Sequence, residues 1–152
     1  MDKDFFVREI EAYGGLLYRI AYTILRNDDA CKDALQDTAL KAWEKRATLR
    51  EDKYFRSWVA RILINTCYNT QRKRRRVILM EEIPETGVPP PDPQLAFALE
   101  ALPDKLRLPL AMRYSEGMSY AEIAQILRVP LGTVRSRIHR AKAELRKELG
   151  AQ

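Results

Sequence analysis

Apolar residues recur along most of this chain every three or four positions, which is the spacing of an amphipathic α-helix. In the first 25 residues this spacing predicts one or two helices with a break near Gly14 and Gly15. Asn27 and the aspartates after it can cap the next helix, and Phe55 begins the apolar stripe of a third. The predicted inner faces are Phe6, Ile10, Leu17, Ile20, Ile24 and Leu25, then Ala34, Leu35, Thr38, Ala42 and Trp43, then Phe55, Trp58, Val59, Ile62 and Cys67. No segment alternates as a strand does, so we expect an all-α fold.

The second half of the chain predicts helices near 94–102 and 105–115, then two short helices separated by Val129 and Pro130. Ser119 is placed to cap the first short helix, with Glu122 three residues later as its capping-box partner. Two short helices joined by a tight turn are typical of a helix-turn-helix, whose second helix enters the major groove of DNA. The alternative is an ordinary helical hairpin.

The last predicted helix, LGTVRSRIHRAKAEL (131–145), is basic on one side. Its apolar stripe consists of Val134, Ile138, Ala141 and Leu145, and the opposite side carries Arg135, Ser136, His139 and Arg140. Charged helix faces are usually only solvated. Here, however, no acidic residue occurs in this helix before Glu144, so Arg135 and His139 have no acidic neighbour three or four positions away. The helix therefore favours an acidic partner.

Charge divides the chain into three parts. Residues 1–76 hold 17 basic and 11 acidic residues and end in RKRRR, residues 77–103 hold five acids and no base, and residues 104–149 hold ten bases and five acids. The middle part contains GVPPPDP (87–93), whose prolines favour extended backbone. We therefore predict two small helical domains, 1–76 and 94–152, joined by a flexible, Pro-rich linker at 77–93, with a helix-turn-helix in the second domain. The net charge of +6 and the isoelectric point near 9.4 suggest a polyanionic partner.

The remaining composition excludes several classes of protein. Cys31 and Cys67 form no CxxC pair, which argues against a disulfide framework or a zinc site and favours buried structural thiols. The acidic, amphipathic start lacks the apolar core of a signal peptide, and no run reaches the roughly 20 apolar residues of a membrane helix. We expect a cytoplasmic protein. Since there is no Gly-rich phosphate loop, nucleophile–base pair or metal cluster in the sequence, we expect no catalytic site, metal, cofactor or small-molecule substrate.

Two motifs resemble those of the extracytoplasmic function (ECF) sigma factors of bacterial RNA polymerase. The segment LPDKLRLPLAMRYSEGMSYAEIAQILRVPLGTVRSRIHRAKAEL is similar to region 4 of that family. The segments DALQDTALKAW (33–43) and FRSWVARILINTCYNTQRKRRR (55–76) are similar to region 2. Both motifs occur in the family's order on either side of an acidic, Pro-rich linker and cover nearly the whole chain. The resemblance implies a two-domain initiation subunit that directs polymerase to particular promoters.

Region 4 of the family reads the promoter −35 element. The resemblance implies that the residues at the DNA are Thr133, Arg135, Ser136, His139 and Arg140. An arginine fork suits a guanine edge, and Ser136 near the helix start suits phosphate.

Region 2 of the family binds polymerase and opens the −10 element. The resemblance implies that the helix containing DALQDTALKAW docks on the β′ clamp helices through Asp33, Gln36, Asp37, Lys41 and Glu44. For the protein as a whole, it also implies a contact with the β flap of polymerase. A plain solvated face is the alternative at this helix. Residues implied in −10 recognition and melting are Lys53, Tyr54, Phe55, Trp58, Arg61, Asn65, Arg72 and Arg75. For Phe55 and Trp58 a place in the core is an equally good interpretation, and the basic run could be a solvated end of the helix.

The sequence departs from the family pattern at a few positions. Ala39 stands where Phe is frequent, and Asn69 stands where Asp is common. Arg128 occupies a turn position where Gly is typical, and Pro109 falls inside a predicted helix, either as a kink or in its first turn. These departures affect the expected promoter sequence and leave the functional positions in place.

The resemblance also implies an anti-sigma factor, often membrane-bound, that covers the same surfaces. Two other classes of protein stay open from the residues alone. One is a helix-turn-helix regulator that binds DNA but not polymerase, which would leave the motif at 33–43 unexplained. The other is a protein-interaction module whose basic faces meet an acidic protein.

Overall fold

The computed structural model describes residues 1–78 and 93–150, without the side chains of residues 75–78 and 93. Within these ranges the chain forms eight α-helices and two short 3₁₀ helices and has no strand, so the predicted all-α fold is confirmed. The α-helices are α1 (Lys3–Ala12), α2 (Gly14–Leu25), α3 (Asp28–Glu44), α4 (Phe55–Ile78), α5 (Pro93–Ala101), α6 (Asp104–Tyr114), α7 (Tyr120–Leu127) and α8 (Leu131–Gly150). None of these helices is long and apolar enough to cross a membrane.

The chain divides into two compact units, Met1–Gly87 and Val88–Gln152. Most of the linker predicted at 77–93 lies outside the described residues. The exact boundaries of the two predicted domains therefore stay predictions.

The first unit is built on the mutual packing of α2, α3 and α4. Its fully buried side chains include Ile20 of α2, Ala34 of α3 and Val59 of α4, as the helical spacing predicts. The predicted face of α4 is shifted slightly. Leu63 and Ile64 are buried, whereas Ile62 is only partly covered, because α4 packs against two helices and buries a broader stripe than one spacing describes.

Side chains in this unit form hydrogen bonds with the backbone groups left open at the helix ends. The Asn27 side chain accepts the backbone N–H of Ala30 at 2.8 Å and caps α3, as predicted. Arg26 ends α2 in the left-handed conformation at φ 52°. The carbonyls left open there accept hydrogen bonds from α4: Gln71 Nε2 donates to Ile24 O, and Arg74 Nη1 donates to Leu25 O at 2.9 Å. Part of the basic run therefore stabilises the fold.

A buried arginine joins two helices of the second unit. Arg107 of α6 is only 9% exposed, and its guanidinium donates to the carbonyls of Leu99 and Glu100 at the end of α5. It also forms an ion pair with Asp104 at 2.7 Å. Because the last carbonyls of a helix have no partner within the helix, this arginine satisfies them and joins α5 to α6.

The structure corrects the expected length of the last helix and settles the position of Pro109. The last helix was expected to be short, yet α8 has 20 residues, because helix-forming residues continue beyond Leu145 without a glycine before Gly150. Pro109 lies in the interior of α6, not in its first turn.

Candidate functional site

The helix-turn-helix of the second unit positions one face of α8. The Ser119 hydroxyl accepts the backbone N–H of Glu122 at 3.1 Å and caps α7. Arg128 then ends α7 in the left-handed conformation at φ 56°, as the expected turn position requires. The Thr133 N–H donates to Pro130 O at 3.0 Å and begins α8. The turn thus links two helices whose apolar sides face each other.

Burial of one side of α8 leaves the opposite side in solvent. Val134, Ile138 and Ala141 are fully buried, together with Ile123 and Ile126 of α7. The residues on the other side are exposed, namely Arg135, Ser136, His139 and Arg140, and Thr133 is half-buried beside them. All five candidate residues therefore lie on or at the edge of one surface.

This surface is electrostatically one-sided. Neither Arg135 nor Arg140 has an ion pair with any residue in the described ranges. Charged donors that point into solvent and form no ion pair are available to an anionic ligand such as DNA phosphate or a guanine edge.

The helix α3 presents a polar stripe with an apolar centre. Its exposed residues Asp33, Asp37 and Glu44 recur at helical spacing with Gln36 between them. Leu40 lies on the same stripe and is 65% exposed. If this stripe contacts a protein, Leu40 is placed to be its apolar centre and the polar residues its rim. Leu40 was not among the predicted residues, although its position one turn after Asp37 could have revealed it.

Lys41 does not lie on that stripe. It is half-buried, and its Nζ donates to the Thr66 hydroxyl of α4 at 3.3 Å. The residue was assigned to the docking face by sequence, and the structure directs its ammonium group towards α4 instead.

The segment between α3 and α4 is tied down at several points. It contains the two 3₁₀ helices, Arg46–Thr48 and Asp52–Tyr54. The Arg46 guanidinium lies 4.0 Å from the centre of the Trp43 ring, and the Trp58 Nε1–H donates to the Thr48 hydroxyl at 3.0 Å. This loop is therefore attached to both helices and presents Lys53 and Tyr54 at its end.

The two adjacent aromatic residues at the end of the loop differ sharply. Tyr54 is 45% exposed, with the Lys53 Nζ 5.1 Å from its ring centre. Phe55 is only 1% exposed and packs edge-on against Phe6 in the core. Phe55 is therefore a correction to the candidate list, because its ring is unavailable for stacking on a base. Trp58 is half-buried and tilted against Phe55.

The remaining candidates lie along α4. Asn65 and Arg72 are exposed, and Arg72 donates to Asn69 one turn earlier. Arg61 is half-buried. The side chain of Arg75 lies outside the described residues.

The two cysteines are buried in the first unit and are free thiols. Burial raises the pKa of Cys31 to about 11 and the pKa of Cys67 to about 12. Because the thiolate is the reactive form, both sulfurs are protected at neutral pH. Across the described ranges, no cluster of three or more His, Cys, Asp and Glu residues could hold a metal ion.

Comparison with known proteins agrees with this arrangement. The sequence profile of Sigma-70 region 2 matches residues 10–77, and that of Sigma-70 region 4 matches residues 93–145. The ECF RNA polymerase sigma factor SigW of Bacillus subtilis is 28% identical over 97% of this chain and 90% of its own length. The ECF RNA polymerase sigma-E factor of Haemophilus influenzae is 34% identical over 84% of this chain and 76% of its own length.

Solved structures give the same result. The sigma factor RpoE from Bartonella quintana, solved in complex with the anti-sigma factor NepR, superposes with a TM-score of 0.83. It is 27% identical to this chain, and the match covers 98% of each chain.

The fold and the sequence matches define a sigma-70-type initiation subunit of bacterial RNA polymerase. Within that class, this chain belongs to the ECF sigma factors. It functions as a sigma factor in promoter-specific transcription initiation, and a regulator that binds DNA without polymerase is not favoured. The family consists of regulators that are not enzymes.

Proposed function

We propose that the two units divide the work of promoter recognition. Residues 1–76 would bind polymerase and open the −10 element, and residues 94–152 would read the −35 element. The observation that carries the proposal is the solvent-exposed basic face of α8, the second helix of the helix-turn-helix, whose Arg135 and Arg140 form no ion pair in the described ranges. Such a face fits the major groove of duplex DNA, where positive side chains meet phosphates and base edges.

Within the second unit, the first half of α8 makes the base contacts. Arg135 and Arg140 supply planar guanidinium forks that bind guanine bidentately. Thr133 and Ser136 contact phosphate through their side-chain hydroxyls, which can donate hydrogen bonds to phosphate oxygens. His139 lies on the same exposed surface and contacts DNA without a metal.

Within the first unit, the stripe on α3 docks on the β′ clamp helices. Asp33, Gln36, Asp37 and Glu44 form its polar rim, and Leu40 is its apolar anchor. The protein as a whole also contacts the β flap of polymerase.

The loop at 45–54 and the first turns of α4 hold the opened −10 strand. Tyr54 is the exposed ring on which an unstacked base can lie, and Lys53 is beside it for the backbone. The amide of Asn65 reads a base edge, and Arg61, Arg72 and Arg75 continue the basic track along α4. Trp58 acts through the loop, since its indole is already hydrogen-bonded to Thr48.

We further propose that the chain has no catalytic activity of its own, acts in the cytoplasm and is controlled by an anti-sigma factor. The structural neighbour RpoE is itself bound to an anti-sigma factor, and this supports the last point. Nucleotidyl transfer belongs to the polymerase.

Run-off transcription with bacterial core polymerase on fragmented DNA of the source genome tests the proposal. We expect discrete transcripts that require this protein, with start sites that share one promoter motif. Tight DNA binding without such transcripts would contradict the polymerase-docking role of α3 and favour a plain regulator.

A salt titration of DNA binding distinguishes a DNA-binding protein from the remaining alternative, a protein-interaction module whose basic faces meet an acidic protein. Phosphate contacts give a steep linear fall of log K with log salt, because bound lysines and arginines release counterions. A flat salt dependence would contradict direct DNA binding.

A further inference from the structure

The first helix, α1, is anchored in its unit by one aromatic ring. Phe6 is the buried residue of this helix and is 7% exposed. The helix has ten residues, and an isolated helix of that length is only marginally stable in water. The Asp2 carboxylate caps its start by accepting the backbone N–H of Phe5 at 2.7 Å. The place of α1 in the fold therefore depends on what the Phe6 ring contacts.

The Phe6 ring contacts residues at both ends of the loop at 45–54. Its centre lies 5.2 Å from the centre of the Trp43 ring, two residues before the loop. It lies 6.1 Å from the centre of the Phe55 ring, directly after the loop. Both pairs are edge-on, which is an arrangement that aromatic pairs prefer. One side chain of α1 therefore bridges the end of α3 and the start of α4.

Two series of contacts lead from these rings into the loop. On one side, the Arg46 guanidinium lies 4.0 Å from the centre of the Trp43 ring, and its Nη1 donates to Trp43 O at 2.8 Å. On the other side, Phe55 packs against Trp58, whose Nε1–H donates to the Thr48 hydroxyl. Arg46 and Thr48 are the first and last residues of the first 3₁₀ helix. Both series therefore end on the same 3₁₀ helix.

A loop that is fixed before it binds has a lower ordering cost on binding. A flexible loop loses conformational freedom when it holds a ligand, whereas a preorganised loop has lost that freedom already. Tyr54 directly precedes Phe55 and is 45% exposed. The bridge through Phe55 therefore also fixes the backbone from which the exposed ring projects.

We propose that Phe6 is a positioning residue for promoter opening. Through its two ring contacts it fixes the loop at 45–54 and keeps Tyr54 in place for a base of the opened −10 strand. Because Phe6 is buried, it acts through the loop and not by touching DNA. This inference rests on the proposed function of the loop in holding that strand.

Amide hydrogen exchange of the full chain tests whether Phe6 holds the loop. Phe6→Leu keeps an apolar side chain and removes both ring pairs, and the matched control Ile20→Val trims a buried side chain of α2 and leaves both pairs in place. The Thr48 and Tyr54 N–H groups report on the loop, since they donate within its two 3₁₀ helices. We expect Phe6→Leu to raise both exchange rates roughly fivefold relative to that of Ala30, as the loss of one ring pair would, and Ile20→Val to leave them unchanged.

Promoter opening by reconstituted holoenzyme tests whether the loop needs this support. Phe6→Leu should open a duplex promoter roughly fivefold less well, recover on a template with a premelted −10 segment and keep its affinity for core polymerase. The decisive variant is Phe6→Leu/Tyr54→Ala. If Phe6 acts through Tyr54, this variant should open the duplex less than about twofold worse than Tyr54→Ala alone, whereas independent defects would multiply.

Multiplication of the two defects would overturn the proposal, because Phe6 would then act through stability alone. Unchanged exchange at Thr48 and Tyr54 in Phe6→Leu would also overturn it, as would equal acceleration in Ile20→Val. If Tyr54→Ala opens the duplex promoter normally, the proposed function of the loop is wrong. The exchange rates then still decide whether Phe6 holds the loop, so the two failures are distinguishable.

Discussion

Tyr54 and Phe55 are consecutive aromatic residues with opposite environments, because the first ends a 3₁₀ helix and the second begins α4. The Phe55 ring is enclosed by Phe5, Phe6, Tyr13 and Trp58, whereas nearly half of Tyr54 faces solvent. One residue therefore serves the core and its neighbour is available to DNA. Sequence spacing alone could not separate them, since both residues are aromatic and adjacent.

The pair gives a prediction with its own control. Phe55→Ala should lower the free energy of unfolding by about 3–5 kcal/mol, because it empties a packed aromatic site. Tyr54→Ala should change it by less than about 0.5 kcal/mol, as is usual for exposed positions. Urea unfolding of the full chain measures both. Equal destabilisation by the two variants would contradict the assignment.

Tyr54→Ala should instead affect strand opening. A stacked base contributes roughly 1–3 kcal/mol, so the variant should open a duplex promoter poorly and recover on a template with a premelted −10 segment. If the Tyr54→Ala variant opens the duplex promoter normally, Tyr54 does not contact the opened −10 strand.

The burial of the two cysteine thiols predicts how the free energy of unfolding depends on pH. Unfolded thiols ionise near their ordinary pKa of 9.0, whereas burial holds Cys31 near 11 and Cys67 near 12 in the folded chain. Between those values the unfolded state loses protons that the folded state keeps, so the free energy of unfolding should fall as the pH rises above about 9.

Denaturant titrations from pH 8 to pH 11 measure this fall. The matched control is Cys31→Ala/Cys67→Ala, which should show a smaller fall over the same range. A thiol-specific reagent should modify neither cysteine in the native chain at neutral pH. Rapid native modification would contradict the burial of both sulfurs.

At the scale of elements, α8 combines a buried stripe with an exposed basic face. We expect only the exposed face to determine which DNA sequence the protein prefers. Arg135→Ala should weaken binding to the −35 duplex by roughly 1–3 kcal/mol and relax the preference for the base it contacts. Core binding should be unaffected. The control is Lys147→Ala, an exposed cation in the last turns of the same helix. If both variants weaken binding equally without a change in base preference, Arg135 contacts phosphate only.

The docking stripe on α3 gives the matching prediction for polymerase. Leu40→Ala should reduce affinity for core polymerase by more than about 1 kcal/mol, as truncation of an apolar anchor does. Its stability should be nearly unchanged, because the side chain is already exposed. Asp37→Lys should also reduce core affinity, while Asp37→Asn, which keeps the size, should do so less. Unchanged affinity in all three variants would place the polymerase contact elsewhere.

At the scale of the whole molecule, the sequence predicted what depends on local periodicity. The all-α class, the caps at Asn27 and Ser119 and the two faces of α8 follow from spacing and capping chemistry. The direction of Lys41, the burial of Phe55 and the use of Arg74 at the end of α2 depend on which helices meet. Those partners are distant in sequence, so a pattern read along one helix does not contain them.

The division of labour between the two units predicts how defects combine in run-off transcription. Asp37 and Arg135 belong to different units, and free-energy changes at independent sites add. The double variant Asp37→Lys/Arg135→Ala should therefore lose activity by the product of the two single losses at limiting protein.

The defects of the two single variants should respond differently to the concentration of the sigma factor. Excess sigma factor restores occupancy of core polymerase by mass action, so it should relieve the Asp37→Lys defect. It should leave the Arg135→Ala defect at the −35 element, because that contact forms after the holoenzyme has assembled. If excess protein relieves both defects equally, Arg135 acts in assembly, and the assignment of −35 reading to α8 is wrong.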